Sequence, residues 1–349
     1  MEIAGLVFLT SGLYMGWSLG ANDAANIFGT AVGTRMVRFR TAAIICALFI
    51  TLGATISGGG AAEGLSDVGA VNALPGAFVV SAMAAITVTF MTRAGLPVST
   101  TQAIVGAIVG WNLFSGKPTD PEALTTIVGT WIYGPMLGAL IAFILFFIVR
   151  FAFKRAKIHL IQLDRYTRTA LILAGIFGAY SLGANNMANV VGVFVESSPF
   201  RGMQIFGITL SGEQQLFAIG GIAASVGVAT YSHRVMNTVG ADLYKLSPIT
   251  AFIVIVSTAL VLFLFASEGL EAWLMARGLP TFPLVPVSQS QAAVGSIIGV
   301  SLPRGGRNLN YKLLGNIVLG WIATPTVAAV LAYIALFFMQ NVFLQTVYL

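Results

Sequence analysis

The sequence predicts an all-α integral membrane protein made of two inverted repeats, with about 10–12 helical spans that include broken or re-entrant half-helices. Three observations predict this class. Of the 349 residues, 57% are hydrophobic and only 9% are charged, whereas soluble domains carry about 25% charged residues. Several apolar stretches exceed the ~20 residues that cross a bilayer. Two polar motifs recur in the same order in each half of the chain.

Hydropathy and helix breakers divide the chain into apolar segments. They run over residues 3–34, 41–58, 71–92, 97–114, 123–149, 170–195, 215–231, 249–267, 286–302 and 313–338. Segments 97–114 and 286–302 are short and rich in glycine. We expect them to be half-spans or re-entrant hairpins, which lipid tolerates only where protein or a cavity covers them.

The distribution of basic residues predicts the orientation of the chain. If the N-terminus is outside and each segment crosses once, only Lys117, Arg201 and Arg277 of the 18 Lys and Arg residues lie outside. Basic residues concentrate on the cytoplasmic side of membrane proteins. The sequence therefore predicts a multi-pass protein of the plasma membrane with both termini extracytoplasmic. The net charge of +6 is a topology signal, so the lipid bilayer is a predicted partner and nucleic acid is not.

The chain repeats itself around a basic stretch. "SLGANDAAN" at 18–26 returns as "SLGANNMAN" at 181–189, identical at seven of nine positions. "PVSTTQAIVGAIVG" at 97–110 returns as "PVSQSQAAVGSIIG" at 286–299, identical at nine of fourteen positions. A weaker pair, "IVGTWIYGP" and "IVLGWIATP", follows in each half. The order and the similar spacings indicate a duplicated unit.

We divide the chain into a first repeat at 1–149, a basic cytoplasmic linker at 150–169 and a second repeat at 170–349. Each half holds five of the predicted segments, and an odd number requires the second half to insert upside down. Inverted repeats are typical of secondary transporters, whose site lies at mid-membrane where the repeats meet.

The first motif places a carboxylate among apolar residues. An ionised Asp at mid-bilayer costs at least about 2.5–3.5 kcal/mol, and no Lys or Arg lies at comparable depth to pair with Asp23. A cation from solution is the natural partner. Gly20 and Gly183 precede the asparagines, and we expect them to loosen the helix and expose backbone carbonyls. The alternative is that the asparagines only bridge helices, but their repetition favours an ion site with carboxamide oxygens from Asn22, Asn26, Asn185 and Asn189.

The second motif suits an anion. Pro97 can open a helix, and a helix start presents free N–H groups and a positive dipole end to an oxyanion. The alternative is ordinary N-capping by Ser or Thr, but repetition in register with Pro286 favours an anion pocket. A multivalent anion cannot share a dry cavity with Asp23 unless cations lie between them, so the motifs together predict anion–cation symport. The anion-site candidates are Ser99, Thr100, Thr101, Ser288, Gln289, Ser290 and Gln291.

These paired motifs resemble the inorganic phosphate transporter (PiT) family, whose signatures are GANDVAN-like and PVSTTH-like sequences in each half. The resemblance covers nearly the whole chain. It implies phosphate symport with Na+ or H+, an inverted-repeat fold and a homodimer. Carried over by position, it places the coupling ion at Asn22, Asp23, Asn26, Asn185 and Asn189, and phosphate at Ser99, Thr100, Thr101, Ser288 and Ser290.

The chain departs from the family pattern in three ways. Asn186 stands where the second family motif usually has Asp; we count it with the ion ligands, and it leaves the ion stoichiometry open. Gln102 and Gln291 stand where His is frequent, so neither position can relay a proton, and we count both with the anion ligands. Gln289 replaces a hydroxyl residue, which bears on anion preference.

The leading expectation is import of inorganic phosphate by alternating access and symport, with Na+ favoured over H+. A sulfate symporter is the second expectation, and an anion channel is the third. An enzyme is not expected, because the membrane segments contain one motif carboxylate, no His and no metal-ligand spacing. No cofactor is expected beyond the coupling ion.

Overall fold

The computed structural model describes residues 3–93, 98–155, 159–205, 207–233, 236, 246–306 and 309–349. Pro97 of the second motif lies outside the described residues, as do the basic residues Lys157, Arg234, Lys245 and Arg307. Within these ranges the regular structure is helical apart from one two-stranded hairpin. The predicted all-α membrane fold is confirmed.

The order of elements follows the predicted segments. The helices are α1 Ile3–Gly33, α2 Phe39–Ser57, α3 Gly59–Ser66, α4 Leu74–Arg93, α5 Thr100–Ser115, α6 Pro121–Arg155, α7 Leu160–Asn186, α8 Ala188–Val191, α9 Gly212–Thr230, α10 Pro248–Leu264, α11 Glu268–Met275, α12 Gln289–Ser301 and α13 Tyr311–Asn341. Short 3-10 turns follow α8 and α12, at Gly192–Phe194 and Leu302–Arg304. The antiparallel hairpin pairs β1 Met203–Ile205 with β2 Ile208–Leu210.

Each predicted apolar segment contains a helix, but three short elements were not predicted. These are α3, α11 and the hairpin. Helices α10 and α11 are bent by 66° across the break between them. The sequences of α3, α11 and the hairpin are short and mixed and carry no long apolar run, which is the signal that hydropathy detects.

Helix length separates full spans from half-helices. Five helical stretches are long and apolar enough to cross a membrane, and six if the bent α10–α11 pair counts as one span, among the described residues. Helices α5 and α12 have 16 and 13 residues, or about 24 and 20 Å at 1.5 Å per residue. Both are shorter than the ~30 Å hydrocarbon layer.

The predicted linker at 150–169 is largely helical. Residues 150–155 form the end of α6, and residues 160–169 belong to α7. Only the few residues between these helices connect the halves. Hydropathy ends a segment where charge begins, but a helix can continue into the aqueous phase because its backbone bonds do not depend on the side chains.

The half-helices pack tightly across the chain. Helix α5 packs against α13, and α12 packs against α6. A Cβ at Gly106 would overlap the backbone of Pro325, and one at Gly295 would overlap that of Pro135. Glycine therefore lets each half-helix lie directly against the proline-containing turn of a long helix.

The long helices α6 and α13 present apolar surface outward. Ile132 and Met136 on α6 are 61% and 63% exposed, and Leu319 and Ile322 on α13 are each 65% exposed. Polar motif residues are buried in the interior instead. Soluble proteins show the opposite arrangement, with apolar residues inside and polar residues outside. Apolar residues on the outer surface are expected of helices that face lipid.

Candidate functional site

The first motif lies inside α1. Of the described residues that are buried, Asp23 is the only charged one, at 1% exposure. Its carboxylate accepts hydrogen bonds from Asn22 Nδ2 at 3.0 Å and from Thr100 Oγ1 at 3.3 Å. The same Asn22 nitrogen also lies 3.2 Å from the carbonyl of Val98. The middle of α1 therefore meets the start of the half-helix α5.

The second copy of the asparagine motif, at 181–189, contacts both half-helix starts. Asn185 Oδ1 accepts from the Val287 backbone N–H at 2.6 Å, and its Nδ2 donates to the Val285 carbonyl at 3.1 Å. Asn186 and Asn189 turn instead toward Thr101 at the start of α5. The motif lies where α7 ends at Asn186, one residue before α8.

Thr101 joins the two halves of the chain. Its hydroxyl donates to Asn186 Oδ1 at 3.4 Å and accepts from Asn189 Nδ2 at 2.9 Å. Asn189 Nδ2 also donates to Asn186 Oδ1 at 3.0 Å. Neighbouring hydroxyls on one half-helix thus bind Asp23 of the first half and the asparagines of the second.

Both half-helices begin with a serine N-cap. Ser99 Oγ accepts from Gln102 N at 3.1 Å, and Ser288 Oγ accepts from Gln291 N at 3.3 Å. Ser288 Oγ also lies 3.2 Å from Ser290 Oγ. The capping interaction and an anion role are compatible, because a hydroxyl that accepts one bond still carries a proton to donate.

Five buried carboxamide atoms at these motifs have no hydrogen-bond partner among the described residues. Four are carboxamide oxygens and one is a carboxamide nitrogen: Gln102 Oε1, Asn189 Oδ1, Gln289 Oε1, Gln291 Oε1 and Asn186 Nδ2. Leaving a buried polar group unsatisfied costs about 1–3 kcal/mol. Several such atoms in one place are a signature of a site that is completed by ligands.

One sequence expectation changes in the structure, and one motif asparagine differs from the others in its surroundings. Asn26 is only half-buried and makes no hydrogen bond among the described residues, unlike the other motif asparagines. Gly20 does not loosen α1, which runs unbroken through the motif, whereas α7 ends at Asn186, three residues after Gly183. A Cβ at Gly20 would overlap the carbonyl of Ala224, and one at Gly183 would overlap that of Ile50. These glycines permit close helix packing.

Three partners of the motifs were not predicted from the sequence. The carbonyls of Val98 and Val285 accept from Asn22 and Asn185, and Thr92 Oγ1 lies 3.4 Å from Asn22 Oδ1. The two carbonyls belong to the extended segments that lead into α5 and α12. Pro286 is a sequence signal for the second of these segments, since proline favours an extended conformation in the residue before it, here Val285.

An acidic cavity of about 460 Å³ reaches the same region from one end of the membrane domain. Its wall includes Val285, whose carbonyl accepts from Asn185. The carboxylates that line it are Glu63, Asp67, Asp120, Glu122 and Glu271. No basic side chain lies among its described lining residues.

Comparison with known families decides the class of the protein. A model of the phosphate transporter family matches residues 19–332 and 275–347, which cover nearly all of the chain. The chain belongs to the phosphate transporter family. The family resemblance predicted from the motifs is confirmed, and membership makes the protein a transporter, not an enzyme.

Relatives in this family align over almost their full lengths. A predicted phosphate permease of Methanocaldococcus jannaschii is 27% identical over 96% of this chain and 97% of its own. A predicted phosphate permease of Thermococcus kodakarensis is 26% identical, with 94% and 95% covered. The sulfate permease of Bacillus subtilis is also 26% identical, over 96% of this chain and 87% of its own.

A solved structure shares the fold of this family member. A sodium-dependent phosphate transporter superimposes with a TM-score of 0.78 over 97% of this chain and 99% of its own. The sequence identity is 24%. This likeness establishes the architecture, a multi-pass helical membrane protein.

Proposed function

We propose that this phosphate transporter family member imports inorganic phosphate by symport with Na+. The observation that carries the proposal is the buried cluster around Thr101, where both half-helix starts and both asparagine motifs meet. The cluster holds the one charged residue among the described buried side chains. Its unpartnered carboxamide oxygens suit a cation, and its hydroxyls and helix starts suit an oxyanion.

The two ligand sets have different chemistry. We assign the Na+ ligands to the asparagine motifs: Asn22, Asp23, Asn26, Asn185, Asn186 and Asn189. We assign phosphate to the half-helix starts: Ser99, Thr100, Thr101, Gln102, Ser288, Gln289, Ser290 and Gln291. The contacts of Thr100 with Asp23 and of Thr101 with Asn186 bring the sets within one hydrogen bond of each other. Asp23 and a bound phosphate would both be negative, and negative charges this close in a dry site require cations between them.

The residue types favour Na+ over H+ as the coupling ion. Asn186, Gln102 and Gln291 carry amides, which have no titratable proton near neutral pH. Asp23 is the one titratable side chain among the described site residues. The acidic cavity beside Val285 would raise the local concentration of cations near the site.

Helix packing supports two inverted repeats, residues 1–149 and 170–349, joined through the basic segment 150–169. Under the pairing of α1 with α7, α2 with α9, α5 with α12 and α6 with α13, the main helix contacts between the halves form matching pairs. Helix α2 packs on α7 as α9 packs on α1, and α5 packs on α13 as α12 packs on α6. Alternating access then occurs by movement at the interface of the repeats. We place both termini outside the plasma membrane and expect a homodimer.

Sulfate symport is the second candidate, and two observations favour it. A sulfate permease is among the relatives, and Gln289 and Gln291 place amides where the family usually has hydroxyl and imidazole groups. The two anions differ in protonation. Sulfate carries no proton near neutral pH, whereas phosphate can donate one to an acceptor such as the unpartnered oxygens of Gln102 and Gln289. This difference favours phosphate.

Equilibrium binding to the purified chain separates these candidates. Radiolabelled phosphate would be titrated at one fixed pH in sodium chloride and in choline chloride, with sulfate as competitor. We expect phosphate binding to require Na+ and sulfate to compete at least about tenfold more weakly, the discrimination available to a site that must satisfy buried acceptors. Stronger competition by sulfate than by phosphate itself would make sulfate the substrate. Binding that is indifferent to Na+ would remove the Na+ assignment.

A further inference from the structure

A second cavity lies at the end of the membrane domain opposite to the acidic one. Its volume is about 500 Å³, and it forms where the end of α6, the start of α10 and the 3-10 turn after α12 meet. None of the motif residues lines it. The cavity is therefore separate from the proposed transport site.

One wall of this cavity is basic. Arg150 and Lys154 are four residues apart on α6, so they share one helix face, and Arg304 approaches from the 3-10 turn. The Arg304 guanidinium lies 5.6 Å from the centroid of the Phe146 ring. No acidic side chain lies among the described lining residues, and Arg150 and Lys154 form no ion pair in the described part of the chain. The wall is suited to an anion.

The start of α10 adds hydrogen-bonding groups to the same cavity. Ser247 caps this 17-residue helix by accepting from Thr250 N at 3.3 Å, and both residues line the cavity. A helix start carries about half a positive charge and favours anions, phosphate groups among them. Positive potential therefore converges on the cavity from three elements.

The opposite wall is apolar and adjoins the lipid-facing surface. Val149, Phe153 and Ile253 line it. On the same turns of α6, Phe147 and Ile148 are 45% and 56% exposed. A free inorganic anion gains nothing from such a wall, whereas an amphiphile that joins an anionic head to acyl chains matches both walls.

The corresponding corner at the other end of the domain is filled by the chain itself. There α13 ends beside α4 and α5, and Val347 is buried with its carbonyl accepting from Trp111 Nε1 at 2.9 Å. Leu349 N donates to Asn72 Oδ1 at 3.0 Å. The equivalent space at the other end thus holds a segment that combines an apolar side chain with polar backbone groups.

We propose that the basic cavity binds the phosphate headgroup of an anionic membrane phospholipid. Arg150, Lys154 and Arg304 pair with the phosphate, the start of α10 donates to it, and the acyl chains lie along the apolar face of α6. The shared chemistry is a phosphate-bearing anion. The apolar wall selects the lipid over free phosphate.

Native mass spectrometry of the full chain tests this proposal with defined lipids. Phosphatidylglycerol and phosphatidylcholine with identical acyl chains would be titrated onto the detergent-purified protein. The test variant is Arg150→Gln/Lys154→Gln/Arg304→Gln. The control is Arg38→Gln/Arg40→Gln/Lys312→Gln, which likewise removes two arginines and one lysine, but from exposed positions elsewhere. We expect the parent and the control to prefer phosphatidylglycerol, and the test variant to bind it about a hundredfold more weakly.

Three outcomes would overturn the proposal. An equal loss in both triple variants would mean general surface charge, and equal binding of both lipids by the parent would mean no headgroup recognition. In the third outcome, the parent protein without lipid binds one inorganic phosphate in addition to the one at the transport site, and only the test variant loses it. That result would assign the cavity to free phosphate. Phosphate binding at the transport site is measured in all three proteins and is expected to stay unchanged, so the two sites are tested separately.

Discussion

Asp23 sets the electrostatic requirement of the whole site. It is the one charged side chain among the described buried residues, and its described partners are neutral donors, Asn22 and Thr100. Neutral hydrogen bonds offset only part of the cost of burying a charge. A cation is what completes this environment under the proposed function.

Replacing Asp23 with Asn is expected to abolish gradient-driven phosphate uptake while expression stays near normal. The change removes the buried charge but keeps the size of the side chain, so no cavity opens in the packed interior. Uptake into proteoliposomes and the yield of folded protein would be measured together. Asp164→Asn, at an exposed position on α7, is the control and should leave uptake intact. Full coupled uptake by the Asp23→Asn protein would remove the ion-site assignment.

The neutral residue at position 186 gives a second prediction. Asn186→Asp adds a carboxylate beside Thr101 and Asn189, so it should tighten apparent Na+ affinity or raise the number of cations bound per anion. It should also make uptake fall as the pH is lowered, because a protonated carboxyl no longer attracts the cation. Uptake would be measured against Na+ concentration at several pH values. The exposed change Asn341→Asp controls for added charge, and curves that superimpose on the parent would place residue 186 outside the ion site.

At this scale the sequence predicts residue types better than contacts. The motif residues themselves could be picked out because polar groups inside apolar segments are costly and repeat in register. Their partners could not, since Asn22 and Val98 are 76 residues apart and Asn185 and Val285 are 100 apart. Only the tertiary fold brings such groups together. For the same reason, the sequence could not predict that Asn26 is half-buried while the other motif asparagines are buried.

At the scale of elements, the half-helices α5 and α12 determine the geometry of the site. Each begins after an N-capping serine in the interior and packs its glycines against a long helix. Because the start of the helix is buried, its free N–H groups face the site and not water. Tight packing of α5 and α12 is therefore part of the function.

Adding a methyl group at Gly106 is expected to destabilise the protein. Gly106→Ala would force the Cβ into the backbone of Pro325, and overpacking of this kind costs about 1–3 kcal/mol. Gly315→Ala on α13 is the matched control, because outside its own helix backbone no described atom lies within 4 Å of that Cβ and alanine favours a helix by up to about 1 kcal/mol. Thermal unfolding in one detergent, followed by tryptophan fluorescence, compares the two. A Gly106→Ala protein as stable as Gly315→Ala would show that α5 does not pack so closely.

Elements long enough to show a hydropathy signal were predicted, and those defined by packing were not. The ten apolar segments each contain a helix, whereas the eight-residue helices α3 and α11 were not predicted. The continuity of α1 was also unexpected, because glycine in a sequence signals either a flexible backbone or a close approach. The neighbouring helix decides between these meanings, and α9 supplies that neighbour at Gly20.

For the whole molecule, the distribution of charge predicts the orientation in the membrane. One end carries the acidic cavity and the other carries Arg150, Lys154 and Arg304. The two ends are joined by α6, whose 35 residues extend about 50 Å. Under the predicted orientation the acidic end faces outward and the basic end faces the cytoplasm.

Cysteines at the two ends of α6 test this orientation on a single helix. Glu122→Cys and Lys154→Cys, each in a Cys46→Ala background, are both exposed positions. A membrane-impermeant maleimide added to intact cells should label Cys introduced at 122 and not at 154, whereas both should react after permeabilisation. Cys46 is fully buried, so its replacement removes background only. The reverse labelling pattern would invert the topology, and labelling of both from outside would exclude the five-plus-five arrangement.

We propose that phosphate and Na+ move together through this site. The measurement that tests it most directly is radiolabelled phosphate uptake into proteoliposomes under an inward Na+ gradient, an inward H+ gradient or neither, with sulfate as competitor. We expect transient accumulation of phosphate above its external concentration only with the Na+ gradient, and little inhibition by equimolar sulfate. Phosphate that merely equilibrates under all three conditions would contradict symport and indicate a channel.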